Sequence, residues 1–291
     1  MSGLAELSQR HARLQEISGI MTAMKSLSLV EARKLARFID HQQRMRANIA
    51  AAASDFLQFH PAVRANEVAG PDNTPQSDVI LVVIGAERGF CGNFNERLLQ
   101  ALDRQQPATS VAGLVVVGHR LGTRLAGHPQ LRARLDGATV TEDVPAVLDR
   151  LIDVLREQRP AGNAGSMVLQ CLAHDVQGEP VLVQLLPVPT SAYRAVRADG
   201  PQFTLAPVVF YRELVDQFLL AALYGQLYAS LAAESRQRLA HMEHALDRLA
   251  ETLGRLALKR NALRQERIVE EIEVMLSSAI AFAERSEQRN P

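Results

Sequence analysis

Two hydrophobic rhythms divide this chain. Along residues 4–59, and again along 209–285, apolar side chains recur at three- and four-residue steps, while between 79 and 206 they come in short unbroken runs. The first rhythm marks a helix with one apolar stripe, and the second marks buried strands. From Leu4 to about Phe59 there is no proline, and glycine occurs only near the start, at Gly3 and Gly19. Leu35, Phe38, Met45, Ile49, Ala52, Phe56 and Phe59, with Gln42 filling the gap, step in alternating threes and fours, which is a heptad seam. A second proline-free stretch runs from about Val209 to Arg285. Within it Leu239, Met242, Leu246, Leu249, Leu253 and Leu256 keep the same step, and beyond Leu263 the seam shifts to Ile268, Ile272, Met275 and Ala279, as a stutter requires. About 75 helical residues would extend roughly 110 Å. A helix that long with one apolar stripe needs a partner, and the N-terminal helix is the nearest. The expected arrangement is an antiparallel intramolecular coiled coil, with an intermolecular coiled coil as the alternative.

Between the helices, VILVVI (79–84), GLVVVG (113–118), MVLQCLA (167–173) and VLVQLLPV (181–188) are β-branched runs bounded by turn residues. Asn95–Gln105 and Pro145–Arg159 read as helices, and VQGEPV (176–181) as a hairpin turn. Alternation of strand and helix predicts a mostly parallel sheet with an antiparallel edge. The expected fold class is therefore α/β: a Rossmann-like domain inserted between the halves of a long antiparallel coiled coil. The expected segments are an N-terminal helix (1–59), a Pro/Asn/Asp/Gly-rich linker (60–78), the α/β domain (79–206) and a C-terminal helix (207–291).

Composition removes several function classes. The formal net charge is +0, so no global field points to nucleic acid or an anionic membrane. The two cysteines, Cys91 and Cys171, make neither a disulfide framework nor a paired metal spacing, which fits a reducing compartment. The first 17 residues carry charges throughout and lack a signal-peptide apolar core. No run of about 18 uncharged apolar residues occurs, so no membrane span is expected.

The candidate chemistry centres on GAERGFCGNFNERL (85–98), a glycine-punctuated turn from a strand into a helix. A Walker-type phosphate loop ends in Gly-Lys-Ser/Thr, but here Gly92 is followed by Asn93, Phe94 and Asn95. Glycines at 85, 89 and 92 do not give the dinucleotide spacing either. The turn is read as structural: Gly89 and Gly92 shape it, Cys91 packs beneath it, and Asn93 or Asn95 caps the helix. A Cys91 thiol near a helix N-terminus could have a lowered pKa, yet no base is tied to it by a motif. His241 and His244 share a helix face without a third ligand, so no metal site is expected. The charged stretch ALKRNALRQERIVEEIE (257–273) falls at mid-seam of the long helix. It is either a solvated face or a surface that meets other subunits.

Several separated motifs carry a family resemblance. They are IMTAMKSLSLVEARK (20–34), with Met24, Arg33 and Lys34; ERGFCGNFN (87–95); QLLPVP (184–189); and Glu234, Met242, Asp247, Asn261, Arg264, Gln265, Ile268 and Glu271 in register along the last helix. Over nearly its full length the chain resembles the γ subunit of F-type ATP synthases, the central rotor stalk. The resemblance implies a subunit with no catalytic site and no cofactor. Its rotation would couple ion flow through a membrane ring to the conformational cycle of catalytic sites. It further implies partners in the α and β subunits of the head, an ε-type subunit and the c-ring, and a peripheral place on the cytoplasmic face of a bacterial inner membrane. Met24, Lys25, Arg264, Gln265 and Glu271 would contact the head, Met24 and Lys25 lying near the same region on the other helix. Departures at Thr22, where the family has Lys, and at Asp247-Arg248-Leu249, where it has Asp-Asn-Ala or Asp-Asn-Gly, imply a divergent member, such as that of an alternative ATPase. A free-standing Rossmann-like nucleotide-binding protein with a coiled-coil dimerisation arm is the competing expectation.

Overall fold

The computed structural model describes residues 2–60, 63, 79–105, 111–158, 168–189 and 204–287. Nearly all of the expected linker, 60–78, lies outside them. In chain order the elements are α1 (Ser2–Phe59), β1 (Val79–Ile84), α2 (Phe94–Gln105), β2 (Val111–Val117), α3 (His119–Arg124), β3 (Leu131–Leu135), a 3-10 turn (Thr141–Asp143), α4 (Val144–Glu157), β4 (Val168–His174), β5 (Pro180–Leu186) and α5 (Pro207–Glu287). Tertiary contacts group them into two units, Met1–Ser26 with Met242–Pro291, and Leu27–His241.

In the larger unit the strand order is β3-β2-β1-β4-β5. Strands β1 to β4 pair in parallel and β5 pairs antiparallel to β4. β1 is buried at every residue, as a central strand covered on both faces must be. One face packs Leu98 and Leu102 of α2 with Leu121 of α3. The opposite face packs Val147, Leu148 and Leu151 of α4, with Leu35 and Ile39 of α1 and Phe218, Ala222 and Leu223 of α5. β3, LRARL, went unread in the sequence. As an edge strand it alternates half-buried Leu131, Ala133 and Leu135 with exposed Arg132 and Arg134, and so lacks the apolar run that revealed the others. The hairpin turn falls at Asp175–Glu179, with Gly178 at φ 89°.

Within this unit α1 and α5 run antiparallel: Phe38 stacks on Tyr228 at 5.3 Å between ring centroids and Phe56 on Tyr211 at 5.6 Å. The α1 seam is half right. Leu35 and Phe56 are buried, with Gln42 and Ile49 part-buried, but Met45, Ala52 and, despite its stack on Tyr228, Phe38 are exposed, and the buried alternates are Ile39, Ala50 and Ala53. The choice between neighbours 38 and 39 rests on packing, because the apolar sheet and its helices cover that flank of α1. Between Ala221 and Ser235 no α5 residue is exposed, so the helix is enclosed on every side there.

The smaller unit pairs the start of α1 with the end of α5. Lys25 Nζ lies 2.9 Å from Glu243 Oε1, and Met242 is fully buried. Leu239 of the larger unit and Leu246, Leu249, Leu253 and Leu256 of the smaller are all part-buried, as the seam predicts. Leu263 is the last of them. From Arg264 to Ala279 every α5 residue is exposed, the shifted seam at Ile268, Ile272 and Met275 included. With Lys25 set against Glu243, no described residue of α1 lies opposite the turns that end at Ala279.

Candidate functional site

The turn after β1 is held from above by one face of α5. Ser230 Oγ donates to Ile84 O at 3.3 Å, and Gln237 Nε2 reaches Asn93 Oδ1 at 3.4 Å. Glu234 accepts the backbone N–H groups of Glu87 (3.1 Å) and Arg88 (3.2 Å). Arg238 forms an ion pair with Glu234 one helical turn away, and its Nε donates to Gly89 O at 3.2 Å. Both side chains are buried, at 4% and 7% exposure, which is rare for charges unless they are paired. Burial raises the Glu234 carboxyl above its usual range, with the Arg238 charge and the two amide donors opposing it. Arg236 also donates to Val176 O in the turn after β4.

This arrangement decides the question raised by the glycine loop. In open α/β sheets, ligands enter beyond the carboxyl ends of the strands, where the strand order reverses. Here that point lies between β1 and β4. The amides of residues 87 and 88, which would meet a phosphate, are bound instead to a carboxylate of the same chain.

The loop's own shape follows from local geometry. Phe90 (φ 65°) and Gly92 (φ 56°) take the left-handed conformation, while Arg120 Nη2 sits where a Cβ on Gly89 would point, 3.3 Å away. Cys91 is buried and donates to Arg88 O at 3.0 Å. Burial, then the Glu234 charge, pushes its pKa up to about 11, so the low-pKa alternative for this thiol is overturned. Cys171, wholly enclosed in β4, is pushed to about 12. Asn95 sits inside α2 and its Oδ1 accepts Ala86 N–H at 3.0 Å, fastening the loop back to the strand end. Among the described residues no group of three His, Cys, Asp or Glu is placed to hold a metal ion, and no helix is long and apolar enough to cross a membrane.

The expected partner-contact residues all lie in the smaller unit. Met24 and Lys25 are part-buried in the helix pair, Lys25 on Glu243, whereas Arg264, Gln265 and Glu271 are exposed, Glu271 accepting from Arg267 Nε at 3.2 Å. Arg264 follows Glu243 by roughly 20 residues, about 30 Å of helix. In the antiparallel pairing Lys25 itself sits beside Glu243. Sequence reasoning marked Glu234 only as a family position and missed Ser230, Gln237 and Arg238. The available signal was a charged pair four residues apart following LYASLAA, a stretch otherwise apolar or small.

The chain thus combines a mixed α/β sheet, whose ligand crevice is filled by its own C-terminal helix, with a unit of paired helices. A family model described as ATP synthase matches residues 3–282. The ATP synthase γ chain of Heliobacterium modesticaldum is 27% identical over 305 residues, covering 97% of this chain and 100% of the relative. That of Cupriavidus necator is 23% identical, with the same coverage. Among solved structures, the rotor of the Euglena gracilis mitochondrial ATP synthase matches with a TM-score of 0.59 at 12% identity, over 91% of this chain and 98% of that one. The central stalk/c-ring of the Tetrahymena thermophila mitochondrial ATP synthase matches with 0.58 at 17% identity, over 78% and 99%. The chain belongs to the γ-chain family of ATP synthases and is a subunit of the central stalk.

Proposed function

We propose that this subunit is the turning shaft of a rotary F-type ATP synthase. Ion flow through a membrane ring drives it, and its asymmetric surface takes the catalytic sites of the head through their cycle. The smaller unit meets the α and β subunits of the head. The larger unit meets the ε-type subunit and the c-ring, so the chain sits peripherally at the cytoplasmic face of a bacterial inner membrane.

The observation that carries this reading is the end of α5. Arg264 to Ala279 presents Ile268, Val269, Ile272, Met275 and Leu276 to the surface beside Arg264, Gln265, Arg267 and Glu271. An apolar stripe rimmed by charge marks a protein-binding surface. The guanidinium and amide of Arg264-Gln265 suit carboxylates on a facing loop. In reconstituted vesicles, Arg264→Ala with Gln265→Ala is expected to lower ion-driven ATP synthesis at least about tenfold, equivalent to about 1.4 kcal/mol of lost coupling, with subunit assembly intact. Undiminished synthesis by an assembled variant would remove these residues from the coupling path.

A further inference from the structure

Beside the same loop, the larger unit opens a cleft of about 540 Å³ against α3. That volume falls within the range of small-ligand sites, and the cleft lies beyond the carboxyl ends of β1 and β2. Its wall carries Arg88, Arg120, Arg124 and His119, with Glu96 as the one carboxylate. Glu96 is ion-paired with Arg124 at 2.5 Å, and His119 Nδ1 lies 3.6 Å from Asp136. The guanidinium groups of Arg88 and Arg120 have neither a hydrogen bond nor an ion pair among the described residues; Arg88 acts on Asp143 only through its charge. With Glu96 paired to Arg124, and Glu87 taken up by the His119 (2.8 Å) and Gly137 (2.7 Å) amides, the guanidinium groups of Arg88 and Arg120 remain unpaired in a concave site, where field lines concentrate.

Both arginines stand on a rigid backbone. Arg88 N–H is bound by Glu234 at 3.2 Å and Arg120 N–H by Ala86 O at 3.1 Å. Phe90, also on the cleft wall, is 61% exposed in the left-handed conformation. A bulky residue held at positive φ with its ring in solvent is a strained arrangement of the kind that collects at ligand sites.

We propose that this cleft binds the phosphate groups of an oligophosphate anion, either free or carried by a nucleotide. The two guanidinium forks match phosphate oxygens in pairs. The site is separate from the loop amides that Glu234 occupies. It goes beyond the stalk reading and is tested without it, on the isolated full-length chain.

The experiment is calorimetric titration of inorganic tripolyphosphate at about 0.05 M and about 0.3 M salt, with ATP as a second ligand. One saturable site is expected, weaker at high salt. Arg88→Ser with Arg120→Ser should weaken it at least about tenfold. Thr123→Glu, which sets a carboxylate on the cleft wall without touching the loop, should do the same. Arg150→Ala, at an exposed position of α4, should leave it unchanged. Equal affinity for ATP and tripolyphosphate would assign recognition to phosphate alone, and tighter ATP binding would add the base, with Phe90 beneath it. The proposal is overturned by an absence of saturable tripolyphosphate binding, by equal binding to the variants, or by binding of ATP but not tripolyphosphate. Binding of a polyglutamate peptide with tripolyphosphate silent would also overturn it and make the cleft a protein-docking surface.

Discussion

Glu234→Ala removes the carboxylate at the centre of the α5–loop junction. Two amide donors at 3.1 and 3.2 Å lose their acceptor, and Arg238, 7% exposed, loses its counter-charge while still enclosed. Removing one member of a buried ion pair costs about 3–5 kcal/mol, and each stranded amide about 1–3 kcal/mol. Water entering the vacated space satisfies part of this, so the terms do not add, and the expected loss is about 4 kcal/mol. With a denaturant slope of about 3 kcal/mol/M in urea, the midpoint falls by about 1.3 M. The assay is thiol labelling of Cys91 and Cys171 across a urea series. Both cysteines are buried in this unit, so their labelling follows its unfolding. Arg238→Met should cost a similar amount. Glu234→Ala with Arg238→Met should cost well below the sum, since neither charge is then left alone. Strict additivity, or a Glu234→Ala loss under about 1 kcal/mol, would refute the claim that this pair fastens the loop to the helix.

Two further outcomes follow from the same unit. His174 is 1% exposed, with neither ring nitrogen hydrogen-bonded, and it stacks on Phe94 at 3.8 Å. Burial and then the Arg97 charge lower its pKa to about 4, against Asp175 and Glu179. The unfolded chain therefore takes up a proton between about pH 6.5 and 4 that the folded chain refuses, and stability falls as pH drops through that window. His174→Leu should flatten this part of the urea-midpoint profile, and parallel profiles for the two proteins would contradict the assignment. Gly118 has φ 111°, and a Cβ there would lie 2.5 Å from the Gly85 carbonyl oxygen. Gly118→Ala should cost at least about 2 kcal/mol, whereas Gly127→Ala, with open space around it, should be near neutral in the same assay.

Much of the fold was legible because its signals are local. Strands β1, β2, β4 and β5 announced themselves as apolar runs, and the long helices as proline-free periodic stretches. β3 escaped because an edge strand can carry arginines. The α1 stripe was readable to within one residue, and packing chose Ile39 over Phe38. The glycine loop was read correctly as lacking a Walker lysine. Its occupant could not be read, since Glu234 lies some 146 positions further along the chain.

The sequence by itself determined the two helices, the class of the sheet and the family, all of which rest on periodicity and motif spacing that neighbours in the chain carry. Only the tertiary structure decided which residues meet. It set Lys25 beside Glu243, left α5 exposed from Arg264 to Ala279, and placed a carboxylate from the last helix on the amides of the first loop. Those pairings depend on antiparallel register and on a strand order in which distant segments become neighbours. No local pattern of hydrophobic and polar residues encodes either one.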